Sequence, residues 1–528
     1  MIRTFIVFGF AVLLAAVSVS LVAPRDMDKP LLMELKERYS RKHPPKVDHS
    51  KFEELNRTFS SPSEVTRECE NCHNLTAQEV MKSSHWNWER EEYIPGRGIV
   101  YLGKKNAINN FCISGKGNEQ SCGKCHIGYG IDSQGRGFTD SANIDCLVCH
   151  DNTETYAKAP EKAGAPLETL DLNNIAKSVG RPKRTNCGVC HFLGGGGNNV
   201  KHGDLETAMF EPDRALDIHM GVDSVNMQCV DCHRTERHNI AGKLYSLSSM
   251  NLKRISCEDC HTGTPHEKDI LNEHTIKVSC QACHIPVYAK ENATKVHWDW
   301  STAGKLKNGE PYVEEDEMGN HKYMSIKGSF VWKKNLKPDY IWFNGTASHY
   351  LAGDKVVDPS KPVVLNQLFG SYSDEDSQVI PTKIHTAVQP FDPVNRTIIY
   401  PKLYAPEKGE GAFWKDFDWK TASAVGMKEA GLPFSGQVSF IETKMYWPVN
   451  HMVSAKEESA RCEECHSRSD SRLAGLTDFY LPGRDRSPLV DIGGKWLLIL
   501  TILGIAGHGS LRILVSLKGG RKEASDGE

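Results

Sequence analysis

The sequence predicts a mainly α-helical chain with much coil and one membrane-length helix near its C-terminus. Three observations predict it. Seven copies of one short cysteine–histidine motif crowd into residues 69–284, too closely spaced for each to have an apolar core of its own. Glycine (44) and proline (25) are scattered through the chain, and no strand-like alternation persists across the motif block. An apolar run from Trp496 to Leu517 is long enough to cross a bilayer.

The motif is CxxCH. Of 17 cysteines, 16 fall in eight copies of it: Cys69–Cys72–His73, Cys122–Cys125–His126, Cys146–Cys149–His150, Cys187–Cys190–His191, Cys229–Cys232–His233, Cys257–Cys260–His261, Cys280–Cys283–His284 and Cys462–Cys465–His466. Only Cys112 is left over. CxxCH is the attachment signature of c-type haem: two thioethers hold the porphyrin edge and the histidine reaches the iron. A lone CxxC reads more readily as a redox thiol pair or half a zinc site. Zinc does not require a histidine after every pair, and all eight copies have one. Eight covalently bound c-type haems follow. The porphyrins themselves become the core, so the fold class is a multihaem cytochrome c.

From the N-terminus, residues 1–24 carry Arg3, a long apolar run and then small residues, the pattern of an export signal or an uncleaved anchor. Residues 25–290 form a haem domain with seven sites. Residues 291–445 carry no haem motif but are rich in aromatics, as in HWDWSTAG and SFVWKKNLKPDYIWFNG. At that length they are not a linker, and they are expected to cap the haem block with short hairpins or helices. The eighth haem segment is 446–490. A transmembrane helix over 494–517 follows, and Lys518, Arg521 and Lys522 in the tail 518–528 mark the cytoplasmic side. The body then lies on the periplasmic side of the cytoplasmic membrane. His508 and Arg512 fall inside the span, where ionisable groups are costly. Either the helix lies partly in the interface, or it meets a membrane partner such as a quinol-oxidising cytochrome b. The formal charge of −3 and the lack of a long basic run argue against nucleic acid. A homo-oligomer is left open.

Eight irons need eight further axial ligands if all are to be six-coordinate. Of 22 histidines, His43 and His49 lie in a polar stretch and read as surface residues, and His508 lies in the span. His297, His321, His349 and His385 lie in the haem-free region and read as surface or hydrogen-bonding residues. That leaves His85, His202, His219, His238, His266, His274 and His451 as distal ligands. His233–His238 and His261–His266 repeat one offset, which suggests duplicated haem-packing units. Seven histidines for eight irons leave one position, and Lys201, in CHFLGGGGNNVKHGDL, is the leading candidate. An amine binds metal only when deprotonated. Against an ordinary pKa of ~10.4, that costs about 4–5 kcal/mol at pH 7, so such a ligand is displaced more easily than imidazole.

The stretches SSHWNWER, NNFCIS, CGKCHIGYG, DCLVCHD, CHFLGGGGNNVKHGDL, DIHMG, CHIP, WDWSTAG, PDYIWFNG and MYWPVNHMV resemble the octahaem tetrathionate reductase family, from about residue 60 to 470. The resemblance implies seven bis-histidine haems and one active-site haem, on His126, with Lys201 as its distal ligand. It implies that His202 serves a neighbouring haem and that Cys112 lies near the active iron. On residue type alone, Cys112 reads equally as a small buried hydrophobe or as a thiol that takes a sulfur species. Asn198 stands where the family has an aspartate, and an amide cannot carry a proton, which weighs against tetrathionate as the substrate. The expectation is a multi-electron reductase of a small inorganic species (tetrathionate, nitrite or hydroxylamine), with Lys201, Cys112 and Asn198 at the site and a quinol-linked donor in the membrane. The competing expectation is an electron conduit with eight inert irons.

Overall fold

The computed structural model describes residues 47–111, 113, 115–132, 137–242 and 253–523. The leader over 1–24, Cys112 and residues 524–528 lie outside the described residues.

The motif block is a string of short helical turns. CxxC places two cysteines three apart, one helical turn, so both thiols face one way. The clearest are α1 (Pro62–Cys72) and α2 (Arg184–His191). Single turns carry the other motifs, among them Leu147–His150, Cys229–Cys232 and Cys280–His284. Helices this short do not stand alone in water. Their protein-only apolar clusters are small: Val80, Trp86 and Ile144 form one, and Leu55, Phe59, Val65, Leu147, Ile175 and Ala176 another. That fits porphyrins filling the remainder.

The expectation of a mainly α chain needs correction. Residues 294–448 hold a nine-stranded sheet. Its middle is β1 (Thr294–Asp299), β2 (Gly328–Lys333), β3 (Asp339–Phe343), β4 (Gln378–Asp392) and β5 (Ser439–Pro448). β4 runs parallel to β1, with Thr386 opposite His297, and antiparallel to β5, with His385 opposite Met445. β3 pairs with the start of β4. The largest apolar cluster lies here, with Trp298, Trp300, Phe391, Ile398, Tyr400, Phe413 and Trp447 at its centre, and α3 (Trp419–Glu429) packs Ala422 and Met427 into it. β4 was hidden from periodicity because it is buried on both faces for most of its length. A strand of that kind reads as a continuous run without alternation, and Pro381 and Pro390 within it argue against a strand.

The described residues close with α4 (Gly494–Glu523). Residues Pro488–Ser516 have a mean hydropathy of 1.8 over their most apolar stretch and bury none of it against the body, so this helix is long and apolar enough to cross a membrane.

Candidate metal centres

With an imidazole nitrogen about 2 Å from a metal and its ring centre roughly 1 Å further back, two rings on one iron stand about 6 Å apart. Seven of the eight motif histidines have a second histidine ring at that spacing. The pairs are His73 with His49 at 6.3 Å, His150 with His238 at 6.5 Å, His191 with His85 at 6.2 Å and His233 with His451 at 6.3 Å. His261 stands 6.0 Å from His219, His284 6.2 Å from His266, and His466 6.1 Å from His274.

The outer nitrogens agree. Nδ1 of His150, His233, His274 and His466 faces the carbonyl of Gly180, Ala241, Ile270 and Pro482, at 2.5–3.0 Å. Nδ1 of His238 faces Glu79 Oε2 at 3.1 Å, that of His451 faces Asp204 Oδ2 at 3.1 Å, and that of His266 faces Asn272 Oδ1 at 3.2 Å. Each acceptor fixes the proton on Nδ1 and leaves Nε2 for a metal. Among the described residues no three His, Cys, Asp or Glu side chains converge as they would on a bare metal ion. The donors come in facing pairs with thiols beside them, which suits haem and not zinc.

The repeated offset has a local cause in one copy. Thr235–Glu236 and Asn239–Ile240 form a two-residue hairpin, with Arg237 at φ 50° and His238 at φ 60° at its tip. Both values are left-handed, a conformation that non-glycine residues hold only when their surroundings impose it. It projects His238 to His150, away from the adjacent His233.

Two placements differ from the sequence reading. His49 was read as a surface residue because its neighbours are charged, yet it is the ring that faces His73. Its place twenty residues ahead of Cys69 was the available signal. His202 was expected as a distal ligand, but its ring lies against Trp447 at 5.0 Å and faces no motif histidine among the described residues. It is buried, and burial, then the charge of Lys201, pushes its pKa well below the usual histidine range.

His126 is the motif histidine with no partner ring of its kind among the described residues. It is buried between Trp86, Trp88 and Phe138, with centroids 4.9–5.2 Å away. Its Nε2 meets the Trp86 carbonyl at 2.6 Å, and its Nδ1 is buried without a partner. Burial takes its pKa down to about 3, so the ring is neutral.

The glycine-rich loop lies beside this site. Gly195 (φ 85°), Gly196 (φ 93°) and Asn199 (φ 54°) turn the backbone through left-handed conformations. A Cβ on Gly195 would stand 2.9 Å from Val200 Cγ1 and 3.3 Å from Phe111, so the loop packs tightly onto the segment before Cys112. Lys201 Nζ sits over the Trp447 ring at 4.9 Å, and its charge reaches Cys125, His191 and His202. Cys125 is the attachment thiol next to His126. Lys383, fully buried on β4, holds the base of the loop: its Nζ donates to the Val200 carbonyl at 2.8 Å, the Lys201 carbonyl at 3.2 Å and Thr294 Oγ1 at 2.7 Å. Burial takes its pKa down to about 7. Sequence reasoning missed Lys383, whose pattern was hidden with the strand that bears it. Asn198 spends its side-chain oxygen on the Thr207 N–H at 2.8 Å, so it braces the loop.

Comparison with known proteins decides the family. The crystal structure of octaheme cytochrome c from Shewanella oneidensis superposes with a TM-score of 0.76 at 42% identity, covering 84% of this chain and 98% of that one. The chain belongs to the octahaem c-type cytochromes. Residues 215–294 match the family "Cytochrome c7 and related cytochrome c", and residues 295–469 match "Cytochrome c bacterial". An uncharacterized protein of Archaeoglobus fulgidus is 26% identical over 243 residues, 36% of this chain and 80% of that protein.

This octahaem cytochrome is a redox protein whose eight c-type haems attach through the eight CxxCH motifs. The thiols show which motifs adjoin. Cys69 lies beside Cys146, Cys125 beside Cys190, Cys187 beside Cys229 and Cys257 beside Cys280. Cys149 and Cys187, Cys232 and Cys260, and Cys283 and Cys465 lie close enough to feel each other's charge. The motifs therefore run first, third, fourth, fifth, sixth, seventh, eighth, and the second branches from the fourth.

Proposed function

We propose that this octahaem cytochrome is an exported, membrane-anchored reductase of a small sulfur or nitrogen oxo-species (tetrathionate, nitrite or hydroxylamine), working at the second site. The carrying observation is that His126, alone among the motif histidines, has no facing histidine among the described residues, while Lys201 lies beside its Cys125. Seven histidine pairs would hold irons that only carry electrons, and Lys201 would supply the eighth distal ligand. Haem held by His126 and Lys201 would supply the electrons for reduction at this site.

The chain's own residues do the rest. Lys201, once released, takes a proton and becomes an ammonium that attracts an anion and donates hydrogen bonds. Lys104, whose charge also reaches Cys125 and His126, and Lys158 add to the positive field there. Trp447 Nε1 and His385 Nε2 are buried without partners, next to Lys201 and Phe111 respectively, and offer polar contacts to a bound oxo-species. Cleaving an S–S or N–O bond takes at least two electrons, and N–O cleavage also takes protons. The branch position would let the fourth motif pass the electrons in from the main line, one at a time. Asn198, tied to Thr207, is a brace in this reading, and an aspartate there would make the same bond.

The test is a titration of the purified protein with nitrite, hydroxylamine and tetrathionate, with the haem spectrum watched and turnover followed with a reduced dye. One haem of eight should respond, and Lys201→His should abolish both response and turnover. Eight unresponsive haems and no turnover would leave an electron conduit instead.

A further inference from the structure

The eighth motif is the end of the line closest to α4, and the link between them is built as a strut. His466 Nδ1 donates to the Pro482 carbonyl at 2.8 Å, and a Cβ on Gly483 would come within 2.4 Å of the His466 carbonyl. Leu473, Leu476 and Leu481 pack with Tyr340, Trp342 and Val379 of the sheet. Arg484 donates to the carbonyls of Leu473 at 2.7 Å and Phe479 at 2.9 Å, and Arg472 joins Glu464 at 2.6 Å and the Pro286 carbonyl at 2.8 Å. Arg468, two residues past His466, pairs with Asp491 at 3.0 Å in the turn that opens the apolar helix. The segment from His466 to the helix is therefore packed down and cross-tied, and the eighth site is fixed beside the point where the helix leaves the body. Cys462 is exposed.

The helix carries the second observation. Thr501, His508 and Arg512 fall at i, i+7 and i+11, on one face of α4. The helix buries nothing against its own body, and His508 and Arg512 are exposed. In a bilayer such groups are rare and face other protein. Among the described residues α4 is the one span of this kind, and its ionisable face calls for a neighbouring transmembrane segment.

Resting on the anchored reading above, we infer that the eighth haem site and the His508–Arg512 face together dock a membrane-embedded redox subunit that oxidises quinol, and that electrons enter this chain there. Quinol gives up two electrons and two protons to become quinone on that subunit. The protons leave to the aqueous side, and the electrons pass singly past Cys462 and Cys465, then to the seventh site through Cys283. The first site, at the opposite end of the line, is not the entrance.

The experiment uses the full chain in its native membranes with no oxidised substrate added, so the outcome is independent of the Lys201 chemistry. Haem reduction is followed once with a short-chain quinol and once with reduced viologen, and the ratio of the two rates is read. The chain should stay in the membrane after an alkaline carbonate wash; release would overturn the inference. Replacing Cys462, Cys465 and His466 with Ala, Ala and Met should lower the quinol-to-viologen ratio at least tenfold. If that variant does not mature, His274→Met keeps the attachment and should still lower the ratio. The double variant His508→Leu, Arg512→Leu should lower it as well. A ratio within twofold of the parent in either the eighth-site or the helix variant would overturn the inference. So would an equal loss on replacing Cys69, Cys72 and His73.

Discussion

Replacing Lys383 with methionine isolates the grip on the lysine loop. The wild-type ammonium is fully buried and meets three acceptors: the carbonyls of Val200 and Lys201, and Thr294 Oγ1. Thr294 keeps a partner, because its hydroxyl also donates to the Asn199 carbonyl at 2.5 Å. Methionine fills most of the volume but offers no donor, so the two loop carbonyls lose this bond in a buried setting. An unmet buried carbonyl costs about 1–3 kcal/mol, so the pair costs about 2–6 kcal/mol. That falls on the segment bearing Lys201. Expected are a melting temperature several degrees lower and, with Lys201 as the proposed ligand of the second haem, a larger share of that haem with Lys201 displaced, read from its optical and electron paramagnetic signals. The other seven haem signals should be unchanged. An unchanged melting temperature together with an unchanged second-haem signal would refute the assignment of Lys383 as the loop's clamp.

Three other outcomes are expected. His49→Ala should convert one haem of eight to a high-spin spectrum and leave the rest low-spin; eight low-spin haems would return His49 to the surface. Glu79→Gln removes the carboxylate from Nδ1 of His238, so one haem potential should rise in a spectroelectrochemical titration while the fold and haem content hold. His349 is buried, and burial, then Arg90, takes its pKa down from 6.5 to about 3. The unfolded chain binds a proton below 6.5 and the folded one does not until about 3, so stability is lost as pH falls through that window. The loss is about 2 kcal/mol at pH 5. His349→Gln should narrow the drop in melting temperature between pH 7 and pH 5, and an unchanged drop would show that His349 does not sense the acid.

The haem count was legible because its signal is covalent and local: a cysteine pair and a histidine within five residues. The facing histidines were harder. His85, His219, His238, His266, His274 and His451 stand across from motif histidines, but nothing local says which, since each pairing joins distant segments. His49 and His202 show the limit. A charged neighbourhood masked a ring that faces His73, and nearness to a motif favoured one that packs on Trp447. The sheet was illegible for a different reason. β4 is covered on both faces and carries two prolines, so neither alternation nor composition marked it as a strand. With it went Lys383, whose importance depends on a loop nearly two hundred residues earlier.

The second motif adjoins the fourth through Cys125 and Cys190, off the line that runs from the first motif to the eighth, so it is a siding and not a stop on the main track. A molecule lodged there, however slowly it reacts, leaves end-to-end traffic open. If the second site is the reductase centre proposed above, the remaining seven centres can recharge behind it, and poisoning that one position would silence chemistry without interrupting conduction.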